Sequence, residues 1–390
     1  MRKEFLVFGK PAIEEAEIAE VVDSLRSGWI GSGPKVQRFE QMLGEYVGES
    51  EVRCVSSCTA ALFLAMKTLG IGAGHEVIIP AMTFVASANA VEHTGAKAIL
   101  VDVDPETGLI DLDAAEAAIT PRTKAIMPVH LWGLPVEMDR VNSIRDRCGI
   151  EIIEDAAHAL GAEWNGRPIG SFDNLTAYSF YVNKNITTIE GGALVARDSG
   201  TATRIEQLAL HGLSAGAWQR FSDAGFKHYE ATEPGYKFNM TDVQAALGIH
   251  QLPRLDRWID RRAEIWDSYD RDLADLPLTL PAAVPDHVRH ARHIYQVRLR
   301  PDAGLTRDQL LEELHRRNIG TGVHYRGVHL HPYYRDRDGI DPSSLPNATE
   351  ISETTLSLPL HSLLTEKDRV DVVEALQEIL AQPQRGRRSA

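Results

Sequence analysis

The sequence has few cysteines, a deficit of positive charge and no long apolar run, and each absence excludes a class of protein. Its three cysteines, Cys54, Cys58 and Cys148, are too few and too unevenly spaced for a disulfide framework or a structural zinc site. Lysine and arginine number 41 against 55 aspartate and glutamate, a net charge of −14, which argues against a nucleic-acid or anionic-membrane partner. The short apolar run at the start is broken at residues 9–11, unlike a signal peptide. No stretch approaches the roughly 20 apolar residues of a membrane span, so we expect a cytoplasmic protein.

The composition is that of a folded protein, with 390 residues, 43% hydrophobic and 25% charged. At about 150 residues per domain, this length predicts two or three domains. Up to about residue 200, short apolar runs alternate with helical patterns, which indicates an α/β fold with a mainly parallel sheet covered by helices on both faces. The strand candidates are residues 76–80, 96–104, 123–130, 150–158, 175–181 and 191–196, and the helix candidates between them are residues 59–69, 84–94, 111–119 and 136–147.

Both ends of the chain show further helical patterns. Ile13, Ala16, Val21 and Leu25 recur at near-helical spacing before Gly28, which predicts an amphipathic N-terminal helix. The remaining candidates are a long polar loop over 212–236, one or two helices over 241–275, a strand over 293–300, and helices opening at Thr306 and Thr365. We therefore predict a large domain over 1–250, a smaller α+β domain over 251–382 and a disordered tail over 383–390.

Two local patterns do not support the functions they first suggest. The glycine run GIGAG, residues 70–74, follows a helix and precedes a strand, the reverse of a dinucleotide-binding loop, so we interpret it as a helix end and turn. His324, His329 and His331 lie in HYRGVHLHPYY, but their spacing does not gather the imidazoles on one helical face. We therefore predict no metal site there; these histidines suit a substrate-contacting loop or structural roles.

One pair of residues carries specific chemistry. Asp155 stands at the carboxyl end of an apolar strand, where open α/β sheets bind ligands. Lys184 follows another strand, and Gly191 and Gly192 allow close backbone approach beyond it. If Asp155 and Lys184 were the only evidence, an ordinary ion pair would explain them. Pyridoxal phosphate requires the same residue types: a lysine that forms a Schiff base with its aldehyde, and a carboxylate that keeps the ring nitrogen protonated.

A third segment offers a place for the phosphate of that cofactor. The run SSCTAALFLAM, residues 56–66, places small hydroxyl residues where a helix begins, and the free N–H groups of a helix N-terminus suit a dianion. Taken alone, it is an ordinary helix cap. Together with Asp155 and Lys184 it outlines a complete cofactor site: phosphate clamp, ring partner and covalent anchor.

The chain also resembles the DegT/StrS-type sugar aminotransferases, pyridoxal-phosphate enzymes with the aspartate aminotransferase fold, known as fold type I. The likeness covers about residues 5 to 380. It implies an aminotransferase that uses pyridoxal 5'-phosphate, with pyridoxamine 5'-phosphate as its intermediate form. The matching segments, in order, are SGWIGSGPKVQRFE (27–40), EVIIPAMTFVASANA (76–90), IEDAAHALGA (153–162), KNITTIEGG (184–192), GYKFNMTDVQAA (235–246), GVHYRGVHL (322–330) and LSLPLH (356–361).

The resemblance implies a role for each matching position. Lys184 would anchor the cofactor and move protons between cofactor and substrate carbons, Asp155 would pair with the ring nitrogen, and Phe84 would stack on the ring, unless it is plain core packing. The other implied contacts are His158 near the ring, Thr59, Ala60 and Ser179 at the phosphate, Asn239 at the phosphate of the neighbouring subunit in a homodimer with shared sites, and Trp29, His324 and Tyr325 near the sugar.

One position departs from the family pattern. The phosphate motif of the family often reads Ser-Gly-Thr, whereas Cys58 stands here in place of the glycine. Some relatives that dehydrate their substrates carry histidine in place of the anchoring lysine, so the presence of Lys184 favours transamination.

The resemblance also narrows the substrates. It implies that an amino group moves from L-glutamate to a nucleotide-linked keto-sugar, and HYRGVHLHPYY is more like relatives that aminate C4 of a 4-keto-6-deoxyhexose or pentose. Three alternatives stay open: amination at C3, a keto-cyclitol acceptor, and a non-catalytic sensory or regulatory protein on the same fold. The identity of the nucleotide is not readable from these residues.

Overall fold

The computed structural model describes residues 2–48, 50–214 and 230–381. The helices are α1 (Glu15–Ser27), α2 (Pro34–Tyr46), α3 (Cys58–Thr68), α4 (Val85–His93), α5 (Leu112–Ala117), α6 (Met138–Cys148), α7 (Ser199–Ala209), α8 (Asp242–Gln251), α9 (Leu255–Leu273), α10 (Arg307–Arg316), α11 (Pro332–Asp338), α12 (Pro346–Thr354) and α13 (Glu366–Leu380). The strands are β1 (Glu51–Val55), β2 (Glu76–Pro80), β3 (Lys97–Val101), β4 (Thr123–Ile126), β5 (Glu151–Asp155), β6 (Glu163–Trp164), β7 (Arg167–Pro168), β8 (Leu175–Ser179), β9 (Gly192–Ala196), β10 (Leu278–Thr279), β11 (Val288–Arg289), β12 (Tyr295–Leu299) and β13 (Thr355–Leu358).

A seven-stranded sheet forms the centre of the molecule, with strand order β1-β9-β8-β5-β4-β2-β3. The pairs β2–β3, β2–β4, β4–β5 and β5–β8 are parallel. Strand β9 runs antiparallel to both of its neighbours, β8 and β1. The predicted mainly parallel sheet is therefore confirmed, with one reversed strand.

Helices cover both faces of this sheet. Side chains alternate between the faces of a strand, and the two neighbouring isoleucines of β5 belong to different apolar clusters. Ile152 packs in the cluster that contains Phe39 of α2 and Val141 of α6. Ile153 packs in the one that contains Leu62 of α3 and Ile205 of α7. This burial on both faces explains why the strands read as nearly continuous apolar runs.

A third apolar cluster lies around the small antiparallel sheet β10-β12-β13. Helix α9 connects the two regions: its first turns, at Leu255 and Trp258, pack with the central sheet, whereas Trp266 and Tyr269 pack in this third cluster with α10 and α13. A separate core supports a smaller C-terminal domain, and its boundary near residue 250 stays a prediction. A further three-stranded sheet has the order β11-β6-β7.

The N-terminal helix is confirmed, but its apolar side does not face the core. On α1 the buried residues are Glu17 and Ser24, while Leu25 is 58% exposed. The cause is a polar contact with the region where α8 ends: Gln251 donates to Glu17 Oε1 at 2.7 Å, and Arg254 forms an ion pair with the same carboxylate. A buried charged pair thus takes the place that the sequence pattern assigned to aliphatic side chains.

Several smaller predictions can be compared directly. The glycine run at 70–74 does connect α3 to β2, and the 241–275 segment is two helices, α8 and α9, as expected. Strands β3, β4, β5 and β8 end earlier than predicted, and β1, β6, β7, β10, β11 and β13 were not predicted. Residues 215–229 of the expected long loop and the tail at 383–390 lie outside the described residues. Within the described ranges, no helix is long and apolar enough to cross a membrane.

Candidate active site

The carboxyl edge of the central sheet brings the main predicted residues together. Asp155 is the last residue of β5, which lies in the middle of the sheet between β4 and β8. Lys184 follows β8, and Phe84 follows β2 as the residue that precedes α4. Because parallel strands deliver their ends to one edge, these residues from distant parts of the chain converge there.

Asp155 is only 6% exposed and is held on both oxygens. The hydroxyl of Ser87 donates to Oδ2 at 2.7 Å, and the backbone N–H of Ala157 donates to Oδ1 at 3.2 Å. Burial raises the pKa of Asp155, while these two hydrogen bonds act in the opposite direction by favouring the charged form. The carboxylate retains further lone pairs for a ligand.

Lys184 is tuned towards neutral pH. Burial of its ammonium group lowers the pKa of Lys184 to about 8, and the negative charge of Asp155 opposes that shift. An amine with a pKa near the working pH can both accept and return a proton. At neutral pH a larger fraction of this lysine than of an ordinary one is the neutral amine, the form that attacks an aldehyde.

His158 has a defined tautomer. Its Nδ1 accepts the backbone N–H of Trp132 at 3.2 Å, and its Nε2 lies 2.9 Å from the hydroxyl oxygen of Tyr325. A neutral imidazole that accepts at Nδ1 carries its hydrogen on Nε2. His158 therefore donates to the Tyr325 oxygen, and the hydroxyl hydrogen of Tyr325 is left for a partner in the site.

The imidazoles of the site are kept neutral. Burial lowers the pKa of His158 well below its usual value, and the positive charge of Lys184 adds to the shift. Burial and Lys184 likewise lower the pKa of His324 to about 4. His324 Nδ1 lies 2.9 Å from Ser357 Oγ, and its ring stacks on Phe8. Neutral rings add hydrogen-bonding capacity beside Lys184 without adding positive charge.

Phe84 presents an aromatic face to the opening of the site. It is 54% exposed, and its ring centre is 5.3 Å from that of Tyr325. A large apolar side chain that remains uncovered in a site is not acting as core packing. Its position suits the stacking role implied for it, which stays a prediction.

The N-terminus of α3 fits a phosphate group. Ser57 caps this helix by accepting the N–H of Ala60, so that amide, which the resemblance implies for the phosphate, already has a partner in the chain. The N–H of Thr59 has no partner within the helix. Gly192 lies so close that a Cβ there would be 2.5 Å from Cys58 N. Ser179 pairs with Gly192 across β8 and β9, which places Ser179 near the same helix start. These donors fit the phosphate of pyridoxal phosphate.

Trp29 and Asn239 belong to a second group of residues. Trp29 packs against Gly33, and Asn239 donates to Ser32 Oγ at 2.6 Å while its own oxygen accepts from Lys237 at 2.6 Å. Asn239, Ser32 and Gly33 line a cavity of about 510 Å³ beside β1. In the described part of the chain, no hydrogen bond joins Trp29 or Asn239 to Lys184 or Asp155.

Two residues that contact the predicted set were missed from the sequence. Ser87 supports Asp155, and Trp132 holds His158 through its backbone and His324 through its indole, which donates to the His324 carbonyl at 2.8 Å. Trp132 adopts a positive φ of 58°, which is rare for a bulky residue and typical of functional sites. The only available signal was the i, i+4 spacing of Thr83 and Ser87.

The histidines of the 322–331 loop separate rather than converge. His324 contacts Ser357, whereas His329 Nε2 lies 2.8 Å from Thr349 Oγ1. In the ranges that the structure describes, no group of three or more His, Cys, Asp or Glu side chains is arranged to hold a metal ion.

Comparison with known proteins agrees with this geometry. The family model described as the DegT/DnrJ/EryC1/StrS aminotransferase family matches residues 11–377. The chain is 45% identical over 381 residues to the spore coat polysaccharide biosynthesis protein SpsC of Bacillus subtilis, which covers 97% of this chain and 98% of that relative.

Solved structures with the same fold include enzymes of known cofactor state. Spr1654 of Streptococcus pneumoniae, described as a sugar aminotransferase, matches in its PMP form with a TM-score of 0.90 and 35% identity, covering 96% of this chain and 99% of that chain; a PLP form matches with a TM-score of 0.89. PseC of Helicobacter pylori, an aminotransferase involved in the biosynthesis of pseudoaminic acid, matches with a TM-score of 0.89 and 27% identity, covering 97% and 100% of the chains.

These matches extend over almost the whole chain and confirm the predicted fold type, cofactor and reaction class. They also remove the non-catalytic alternative. The chain belongs to the DegT/DnrJ/EryC1/StrS aminotransferase family and is a sugar aminotransferase that depends on pyridoxal phosphate.

Proposed function

We propose that this enzyme moves an amino group from L-glutamate to C4 of a nucleotide-linked 4-keto-6-deoxyhexose. The observation that carries the aminotransferase chemistry is the convergence of Lys184, with its pKa lowered to about 8, and the buried Asp155 at the carboxyl edge of the sheet. The glutamate donor and the C4 position rest on the family resemblance. The bound cofactor supplies an electron sink and a carrier for the amino group. The residues of the chain supply binding, orientation and proton transfer.

Each residue of the site has a defined task in this proposal. Asp155 holds the ring nitrogen, Phe84 covers one face of the ring, and Thr59, Ala60 and Ser179 bind the phosphate. Lys184 Nζ takes the proton from the α-carbon of the amino donor and, in the second half of the cycle, returns a proton to the sugar carbon. Its lowered pKa supports both directions of transfer at neutral pH.

The sugar acceptor would approach from the side of His324 and Tyr325. The Tyr325 hydroxyl, which accepts from His158, can donate its hydrogen to an oxygen of the sugar. The neutral ring of His324 lies next to Tyr325 and is stacked on Phe8, so it borders the space proposed for the sugar. Amination at C4 is supported by the likeness of the HYRGVHLHPYY segment. The names of SpsC and PseC associate similar proteins with the biosynthesis of spore coat polysaccharide and of pseudoaminic acid.

We further propose a homodimer in which Asn239 and Trp29 complete the site of the neighbouring subunit. Asn239 contacts Ser32 and Trp29 packs against Gly33, in a group apart from Lys184. A second copy of the chain would cover exposed side chains on α1, such as Ile18 and Leu25.

The three cysteines are free thiols, which suits the reducing cytoplasm.

The first test is the visible absorption spectrum of the purified holoenzyme, before and after addition of L-glutamate. We expect a yellow band that bleaches with glutamate, and borohydride reduction should fix the cofactor on Lys184, as peptide mapping will show. A spectrum that other amino acids change but glutamate leaves untouched would contradict the proposed donor.

The acceptor is tested with a panel of keto-sugars supplied to the aminated enzyme. The panel contains nucleotide-linked 4-keto-6-deoxyhexoses with each of three nucleotides (dTDP, UDP and GDP), a 3-keto isomer and a keto-cyclitol. Return of the yellow band with a 4-keto compound, and NMR of the product, would establish C4 amination. Turnover of the 3-keto isomer alone would assign the enzyme to the C3 alternative.

The shared site is tested by mixing two inactive variants. Lys184→Ala and Asn239→Asp chains are refolded together, so that hybrid dimers contain one site with both native residues. Activity recovered in the mixture, and in neither variant alone, supports a site built from two subunits. A mixture as inactive as its components would mean that Asn239 acts within its own subunit.

A further inference from the structure

Asp155 receives its support from a short chain of two hydroxyl groups. Thr83 Oγ1 lies 2.8 Å from Ser87 Oγ, and Ser87 Oγ lies 2.7 Å from Asp155 Oδ2. Ser87 and Thr83 are almost completely buried, with exposures of 0% and 1%. Bulk water therefore does not reach either hydroxyl where it stands.

Counting hydrogens fixes the direction of this chain. An ionised carboxylate only accepts, so the hydrogen between Ser87 and Asp155 belongs to Ser87. The Phe84 carbonyl is a competing acceptor at 3.2 Å, but the charged and closer carboxylate is the stronger one. With its single hydrogen used, Ser87 can only accept from Thr83. Two aligned hydroxyl dipoles thus point their positive ends at Asp155, and such chains strengthen cooperatively.

The same short segment serves the other part of the cofactor site. Thr83 and Ser87 flank Phe84, whose ring faces the opening, and Ser87 lies in the first turn of α4. The turn that presents the aromatic face therefore also carries the support for the carboxylate. Any movement of this turn would change both contacts together.

We propose that Ser87, held by Thr83, is a positioning residue that keeps Asp155 ionised and aimed at the ring nitrogen of pyridoxal phosphate. This inference rests on the proposed pairing of Asp155 with that nitrogen. Without the Ser87 hydrogen bond, Asp155 is more basic and takes a larger share of the proton that lies between it and the ring. The ring then loses positive charge and draws electrons less strongly.

The direct test is ¹⁵N NMR of the enzyme loaded with pyridoxal 5'-phosphate labelled at the ring nitrogen. In Ser87→Ala we expect the signal to move towards that of unprotonated pyridine, with cofactor binding about tenfold weaker, the size expected for a lost hydrogen bond to a charged group. Thr83→Val, which keeps the shape of the side chain, should shift the signal in the same direction by less. Thr83→Ser, which keeps the hydroxyl, should leave it unchanged.

Asp155→Asn separates failure of this inference from failure of the pairing on which it rests. If Asp155→Asn moves the nitrogen signal while Ser87→Ala and Thr83→Val leave it at the wild-type position, the pairing stands and the role of Ser87 is wrong. A signal that Asp155→Asn also leaves in place would overturn both. Thr83→Val keeps the test valid if Ser87→Ala does not fold, and circular dichroism of each apo-protein monitors folding.

Discussion

Glu154 and Asp155 are neighbours on β5, yet they point to opposite faces of the sheet and into different kinds of surroundings. Both are buried carboxylates. Glu154 accepts from Asn174 at 2.8 Å and from His130 at 3.0 Å, and His130 in turn accepts the N–H of Val136 on its other nitrogen. On this side the polar neighbours of the carboxylate, Asn174 and His130, find their hydrogen-bond partners within the chain.

The Asp155 side retains unused capacity. In the described part of the chain, the Tyr325 hydrogen and the Lys184 ammonium have no hydrogen-bond acceptor, and burial holds the pKa values of Lys184 and His158 below their usual range. The comparison teaches that burial alone does not mark a functional carboxylate. A functional carboxylate is marked instead by neighbouring side chains whose charges or hydrogen-bonding groups stay unpaired within the chain. Leaving these groups unpaired costs free energy, which a bound ligand can recover.

The largest effect should come from removing the anchor. Lys184→Ala is expected to lower kcat by at least about 10³-fold, because both attachment and proton transfer depend on this amine. The apo-protein should melt no lower than the wild type at pH 7, since the variant removes an ammonium that burial disfavours. Steady-state kinetics and calorimetry measure the two effects; a large loss of melting temperature would mean that Lys184 is structural.

The next test removes the Glu154 and Asp155 carboxylates in separate variants. Glu154→Ala should lower the free energy of unfolding by about 3 kcal/mol, because it leaves buried partners unpaired, while kcat per folded molecule stays unchanged. Asp155→Ala should do the reverse and lower kcat/KM by roughly 100-fold with a small change in stability, in line with a lost charge contact in the reaction. Denaturant titration and kinetics on the same samples decide; equal losses of activity in both would break the comparison.

The pH dependence of the site sharpens the comparison. Because only the neutral amine attacks an aldehyde, capture of pyridoxal phosphate by the apo-protein should accelerate as pH rises and level off above about 8. In the folded state the lowered pKa of Lys184 also means that its contribution to stability improves between pH 8 and the unfolded value of 10.5. Stopped-flow absorbance measures the capture rate; a rate still rising steeply at pH 10 would contradict the burial argument.

The smallest expected effect is at Tyr325. Tyr325→Phe removes the hydroxyl that the His158 tautomer leaves available, and we expect kcat/KM for the sugar to fall about tenfold, typical of one lost hydrogen bond. The half-reaction with glutamate should change less. Single-turnover measurements of the two halves separate these effects, and equal losses in both would place Tyr325 on the cofactor instead.

The sequence predicted the parts of the fold that depend on local patterns. The strands β2, β3, β4, β5, β8 and β9 and the helices between them follow from apolar runs, and Asp155 and Lys184 follow from their places after strands. The α1 surface could not be predicted, because the partners of Glu17 lie more than 230 residues away. Ser87 and Trp132 were not predicted for a similar reason. Ser87 has the pattern of an ordinary helix residue, and Trp132 contacts His158 through its backbone N–H and His324 through its indole, 26 and 192 residues away.

The hydrogen bond from Trp132 to His158 also bears on how such a site can evolve. It comes from a main-chain N–H, which every residue except proline supplies, so point substitutions at position 132 cannot easily remove it. The backbone at residue 132, and not a side chain, therefore determines which ring nitrogen of His158 carries the hydrogen. Tyr325 and its neighbours can vary to suit new acceptors while the orientation of the histidine hydrogen is passed on unchanged.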